Sequence, residues 1–261
     1  MPRSTDTGVC ILCIDATATE DSSASRQGAS TAQIERLHHR LADAGIALVW
    51  GVEASQSKLG RTLSQADKST EVALVADGSW SSRDATRRQF GEGLAGGIDQ
   101  FRSAGLTATT LVLPSVRSVE HDDLLVKHGV HVVRVDRRRA SGRPSRGWWP
   151  RSGSSPTTGQ MRTVRWGLWE ADVSLNLEHG GIRAIVRTLD RLGREGGMAV
   201  IVADARHLAE DEHRVVKLLD HLRRKRSEGV VTFDTFHSLF TRLYGRRPAA
   251  SARSILHSTA A

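Results

Sequence analysis

Residues 8–21 read GVCILCIDATATED. Val9–Ile14 is an unbroken apolar run that stops at Asp15, with Ala16 next. A short apolar run without polar alternation is expected of a strand buried on both faces, as in a parallel sheet. Such a strand would deliver Asp15 at its C-terminal end, where (β/α) folds build their sites. Cys10 and Cys13 fall inside the run. A redox pair of this spacing works from a helix N-terminus. In a strand, residues three apart face opposite sides, so the two thiols read as core residues.

The pattern outside this strand repeats it. Ile34, Leu37, Leu41 and Ala44 recur at helical spacing in TAQIERLHHRLADAG, and Gly45 closes that helix. IALVWGV, EVALVA, ATTLVLP, VHVVRV, VRWGLWEADV and MAVIVAD read as further strands, with helices between most of them and a polar loop before EVALVA. VVTF and DTFHSLFTRLYG close the pattern as a short strand and a capping helix. Strand–helix alternation of this kind implies parallel strands under covering helices. The expected fold is α/β, a single (β/α) barrel of about seven parallel strands over residues 1–245. A polar tail, 246–261, is expected to follow without regular structure.

The chain has 261 residues, 39% of them hydrophobic, enough for one large core. No segment has the length and apolarity of a membrane span, and MPRSTDTG carries no apolar signal region. The expectation is a cytoplasmic protein. The net charge is +8. Arg137, Arg138, Arg139, Arg143, Arg146, Arg151, Arg162 and Arg165 match that excess, in a stretch without acidic residues or lysines. The basicity is therefore one local loop insertion, 137–165. A generally basic surface of the nucleic-acid-binding kind is not expected.

The order of these pieces resembles the polysaccharide deacetylases, or NodB-homology domains. IERLHHRLADAGIALVWGV, GIDQFRSAGLTATTLVLPS, LLVKHGVHVVRV, GLWEADVS and VVTFDTFHSLF look like successive steps of that family, covering about Val9 to Tyr244. The resemblance implies a metal-dependent hydrolase of acetylated glycans. It also places the family's functional positions. Asp15 falls on the catalytic base, while Ala16 stands where a metal-binding aspartate is expected. GSWSS puts Gly78 and Ser82 in place of two metal-binding histidines. LVLPS puts Val112 near an arginine position, and VIVAD puts Ala203 where a histidine is expected. A bound divalent ion lowers the pKa of its water to about 7 and polarises the carbonyl. A lone carboxylate is a poor base for free water. The resemblance thus implies a deacetylase-like protein without metal-dependent activity and without a cofactor. The alternative is a divergent deacetylase or hydrolase that uses Asp15 with substitute residues and a divalent metal such as zinc.

Other residues are weighed beside these. Asp77, Glu170 and Asp204 also lie near strand ends, where paired carboxylates allow acid–base chemistry; the plainer expectation is that they cap helices or pair with arginines. His179 and His207 follow strand ends and are candidate replacement ligands. Gly91, Gly93 and Gly96 form G-x-G-x-x-G, but inside a helix, so they point to tight packing instead of phosphate binding. Trp80, Trp148 and Trp149 are expected near the mouth, where flat rings stack on sugars, and Arg137, Arg138 and Arg139 would hold acidic groups. Trp50, Trp166 and Trp169 are expected in the core. The partner implied is a carbohydrate, acidic or sulfated, with no membrane and no nucleic acid.

Overall fold

In a computed structural model of the chain, residues 7–16, 30–82, 84–114, 121–136 and 161–244 are described, the side chains of residues 178–180 and 244 excepted. Arg137, Arg138, Arg139, Trp148, Trp149 and the 246–261 tail lie outside them, as does the side chain of His179. The first half runs β1 (Gly8–Ala16), α1 (Thr31–Asp43), β2 (Leu48–Glu53), α2 (Ser57–Ala66), β3 (Thr70–Val75), the single turn α3 (Gly78–Ser81), α4 (Arg87–Ser103), β4 (Thr110–Leu113), α5 (Asp122–Lys127) and β5 (Val132–Val135). The second runs β6 (Met161–Thr163), β7 (Trp169–Asp172), β8 (Leu175–Asn176), α6 (Leu177–Glu195), β9 (Met198–Asp204), α7 (Ala205–Glu210), α8 (Glu212–Ser227), β10 (Val231–Phe233) and α9 (Phe236–Tyr244).

The sheet order is β6-β7-β5-β4-β3-β2-β1-β9-β8, with β10 beside the start of β1. Every pairing is parallel except β6 with β7. Along one side of β1, Gly8–Cys10 pair with β10 and Leu12–Ala16 with β2, while β9 occupies the other side. The α/β barrel expectation therefore holds, with ten strands among the described residues in place of about seven. The added strands are short: β6, β8 and β10 have three, two and three residues.

The sheet is curled, and one contact shows it. Arg134 on β5 reaches Asp15 on β1, four strands away. On a flat sheet those positions would stand about 19 Å apart at the usual strand spacing. The period of two sorts β1 into two cores. Ile11 and Cys13 face inward with Val49, Ala73, Val112 and Val200. Cys10, Leu12 and Ile14 face outward, beneath the helices. The two thiols thus sit on opposite faces, both fully buried.

α9 plugs the N-terminal end of the strands, putting Phe236 and Leu239 into the inner core. Glu71, buried at the start of β3, holds the plug: its carboxylate accepts from the His237 N–H at 2.8 Å and from the Thr110 hydroxyl at 2.5 Å. Burial pushes the Glu71 carboxyl above the usual range, and the His237 N–H works against that shift.

Three local expectations change. The polar loop expected before β3 contains α2, whose apolar stripe is only Leu59 and Leu63 beside Gly60. The sixth strand, expected as VRWGLWEADV, is broken by a turn at Arg165–Gly167. The loop expected over 137–165 includes a strand, β6.

Candidate functional site

The C-terminal ends of β1 and β9 lie side by side, and Asp15 and Asp204 are register partners there. Asp15 is bound at two points by Arg134: Nη1 donates to Oδ1 at 2.9 Å and Nη2 to Oδ2 at 2.5 Å. The guanidinium is 3% exposed and the carboxylate 16%, so the pair is held largely away from water. Burial opposes the Arg134 charge, but Asp15 and Cys13 outweigh it and keep the guanidinium above its ordinary pKa. Burial also raises the Cys13 thiol, to about 12, with Arg134 pulling the other way. Gly51, the β2 partner of Asp15, makes room for the carboxylate: a Cβ there would lie 2.3 Å from Oδ1.

Arg134 was not among the sequence candidates. It stands beside Val112, its register partner on β4, where the resemblance places an arginine. The arginine that meets Asp15 is therefore supplied by the next strand. The available signal was a single cation inside the apolar strand VHVVRV, which burial obliges to find a carboxylate.

The other carboxylates divide as the plainer expectation had it. Asp77 caps α3, accepting from the Ser79 N–H at 2.7 Å. Asp204 caps α7, accepting from the Arg206 N–H at 2.7 Å, with His207 Nδ1 at 4.0 Å. Glu170 is not at the mouth. It pairs in register with Val133, an outer-core residue, and accepts from Arg162 at 2.8 Å. A strand residue of that parity faces away from the interior, which corrects its placement among the site residues.

Of the tryptophans, Trp80 packs on a helix and Trp166 is corrected. Trp80 lies against α4, edge-on to Phe90 at 5.5 Å between ring centroids. A Cβ on Gly93 would come within 2.2 Å of its ring, so this glycine exists to admit Trp80. Gly93 is thus a packing glycine, whereas a Cβ on Gly96 would meet nothing within 4 Å, and Trp80 is half-buried against α4. Trp166, expected in the core, is 72% exposed. Trp50 is core as expected, and its Nε1–H donates to His38 Nδ1 at 3.1 Å.

A divalent metal does not fit these residues. Ala16 and Gly78 have no side-chain donor atoms, Ala16 belongs to the outer core, and each oxygen of Asp15 already accepts from the Arg134 cation. Among the described residues, no three His, Cys, Asp or Glu side chains are grouped to hold one. A cleft of about 640 Å³ opens at the opposite end, beside Glu71, Asp234 and His237. Its carboxylates are already partnered, Glu71 as above and Asp234 by Arg242 at 2.5 Å.

No protein-family model matches the sequence, and no curated protein is similar to it. Solved structures do match. A Mycobacterium smegmatis protein, named provisionally as a polysaccharide deacetylase, has 14% identity and a TM-score of 0.65, covering 94% of this chain and 93% of that one. The chain has the polysaccharide deacetylase fold. A family 4 carbohydrate esterase from Streptomyces lividans, solved with acetate, is similar at 11% identity and a TM-score of 0.50, covering 88% and 91%. A Bacillus anthracis pseudoenzyme of the same esterase family aligns at 11% identity and 0.51, covering 90% of this chain and 66% of that one. The deacetylase fold thus accommodates chains described as active and chains described as pseudoenzymes. Among the described residues, no helix is long and apolar enough to cross a membrane.

Proposed function

We propose that this protein is a non-catalytic, deacetylase-like carbohydrate-binding protein. The observation that carries this reading is the loss of ligand atoms beside Asp15: the positions where the resemblance expects a metal-binding aspartate and histidine are Ala16 and Gly78, which have none. Ser82 stands where the second metal-binding histidine is expected. Asp15 itself, on the base position, is held by Arg134. Without a metal-bound water, a carboxylate must activate free water, whose pKa is about 15.7, and the rate falls by many orders of magnitude. The carbohydrate is proposed from the company the fold keeps, and its acidic character from the local arginine excess.

The test pairs metal analysis of protein purified without chelator with an acetate-release assay on acetylated glycans. Protein with no stoichiometric zinc, cobalt or manganese and no acetate release is expected. One tightly bound metal per chain with acetate release sinks the proposal.

A second reading, a divergent hydrolase, rests on the Asp15–Asp204 register pair with His207 beside Asp204. It requires that Asp204→Asn abolish a measurable hydrolysis of a glycan substrate.

A further inference from the structure

β6 and β7 form an antiparallel hairpin whose turn closes through the Val164 N–H to the Leu168 carbonyl at 2.7 Å. Val164 is packed against the outer core and Leu168 is fully buried. Those two residues anchor the hairpin. Trp166 at its tip is 72% exposed and stands outside the packed core. Its backbone is also left-handed, at φ 60° and ψ 20°, and it is the only non-glycine residue with positive φ among those described. Such a conformation is unfavourable for a bulky L-residue and is readily adopted by glycine. The chain therefore holds one of its six tryptophans largely in solvent, in a backbone suited to glycine. Strain of this kind, kept where packing gives no return, points to function.

The surroundings indicate what the ring meets. Because β7 begins at Trp169, the tip lies at the N-terminal end of the strands, opposite Asp15. α5 packs against this turn, and its C-terminal end carries exposed Lys127. Arg165, next to Trp166, is exposed as well. An exposed flat ring with Arg165 next to it in the chain and Lys127 on the helix packed against its turn suits a sugar ring that carries a carboxylate: the apolar face of the sugar stacks, and the cations meet the acid group.

We propose that Trp166 is the stacking platform of an acidic-saccharide-binding surface at the base of the barrel, with Arg165 and Lys127 meeting the ligand's carboxylates. This rests on the reading that the protein binds carbohydrate, and it places that binding away from the mouth. The full chain is titrated calorimetrically with oligogalacturonate, with a neutral dextran oligosaccharide, and with phosphatidylserine vesicles. Wild type is expected to favour oligogalacturonate. Trp166→Gly is expected to weaken that binding roughly tenfold while leaving the melting temperature unchanged or higher, since glycine accepts the left-handed backbone. Arg165→Ser is expected to weaken binding at low salt and much less at high salt. Undiminished oligogalacturonate binding by Trp166→Gly overturns the Trp166 assignment and leaves the carbohydrate reading standing. Wild type that binds neither saccharide removes both. Binding to the vesicles, lost in Trp166→Gly, overturns the assignment in favour of a lipid-surface anchor. A lowered melting temperature in Trp166→Gly would show that the ring is structural, and would overturn it too.

Discussion

Replacing Arg134 by methionine keeps most of the side-chain length and removes the charge. In the folded protein this leaves the Asp15 carboxylate, 16% exposed, without the two bonds at 2.9 and 2.5 Å that now hold it. Removing one member of a buried ion pair costs about 3–5 kcal/mol, because the remaining charge is desolvated and unpaired. In a domain of this size each kcal/mol shifts the melting temperature by about 2–4 °C. Arg134→Met should therefore melt roughly 6–20 °C below wild type when followed by circular dichroism. Adding Asp15→Asn removes the stranded charge and should recover more than half of that loss. The double-mutant cycle then gives a coupling of at least about 1.5 kcal/mol, as expected of a contact. A melting temperature within a degree of wild type for Arg134→Met would refute the argument. So would simple additivity of the two changes. Either result would mean that the β5-to-β1 contact does not hold the curled sheet together.

Other outcomes follow from the same geometry. Gly51→Ala puts a Cβ 2.3 Å from Asp15 Oδ1 and 3.1 Å from Val75, and should cost about 1–3 kcal/mol in urea denaturation; unchanged stability would show that the carboxylate can move aside. Burial holds His38, His131 and His221 below their ordinary value of 6.5, so the unfolded chain takes up protons first. Their contribution is fully present above 6.5 and is lost as the pH falls through their folded values, so the urea midpoint should drop between about pH 7 and 5; Glu71, raised by burial, acts in the opposite sense at the acid end. A midpoint that rises over that interval would contradict this sign. Both thiols are raised and fully buried, Cys13 to about 12, so neither should react with a thiol reagent until the protein is unfolded; rapid labelling of native protein would place one of them at the surface.

The strands were legible because burial on both faces leaves apolar runs, and β1, β2, β3, β4, β5 and β9 stand where such runs occur. α2 was not, because only Leu59 and Leu63 mark its buried side and the rest of SKLGRTLSQA looks like a loop. The capping roles of Asp77 and Asp204 followed from their places at strand ends. Glu170 was misplaced because strand-end position was read without the face. Its parity follows Val133 and the outer core, and only the register reveals that. The site's decisive partner, Arg134, could not be found from the motif that should hold it, since that motif carries Val112. The pairing of β4 with β5 joins the two positions. Trp166 was expected in the core, and nothing in WGLW announces that this tryptophan itself takes a left-handed backbone.

β1 precedes every other described strand, yet its neighbours β9 and β10 follow all the rest. The Gly8 carbonyl accepts a bond from the Thr232 hydroxyl, 224 residues later. During translation the central strand would thus leave the ribosome with one flank and half of the other unclaimed, an apolar edge open to chaperones or to a neighbouring nascent chain. Closure of β1 must await β9 and β10, and pairings so far apart in sequence make folding slow for the chain's size. A stop codon before Val230 would release a chain whose opening strand has nothing to complete it.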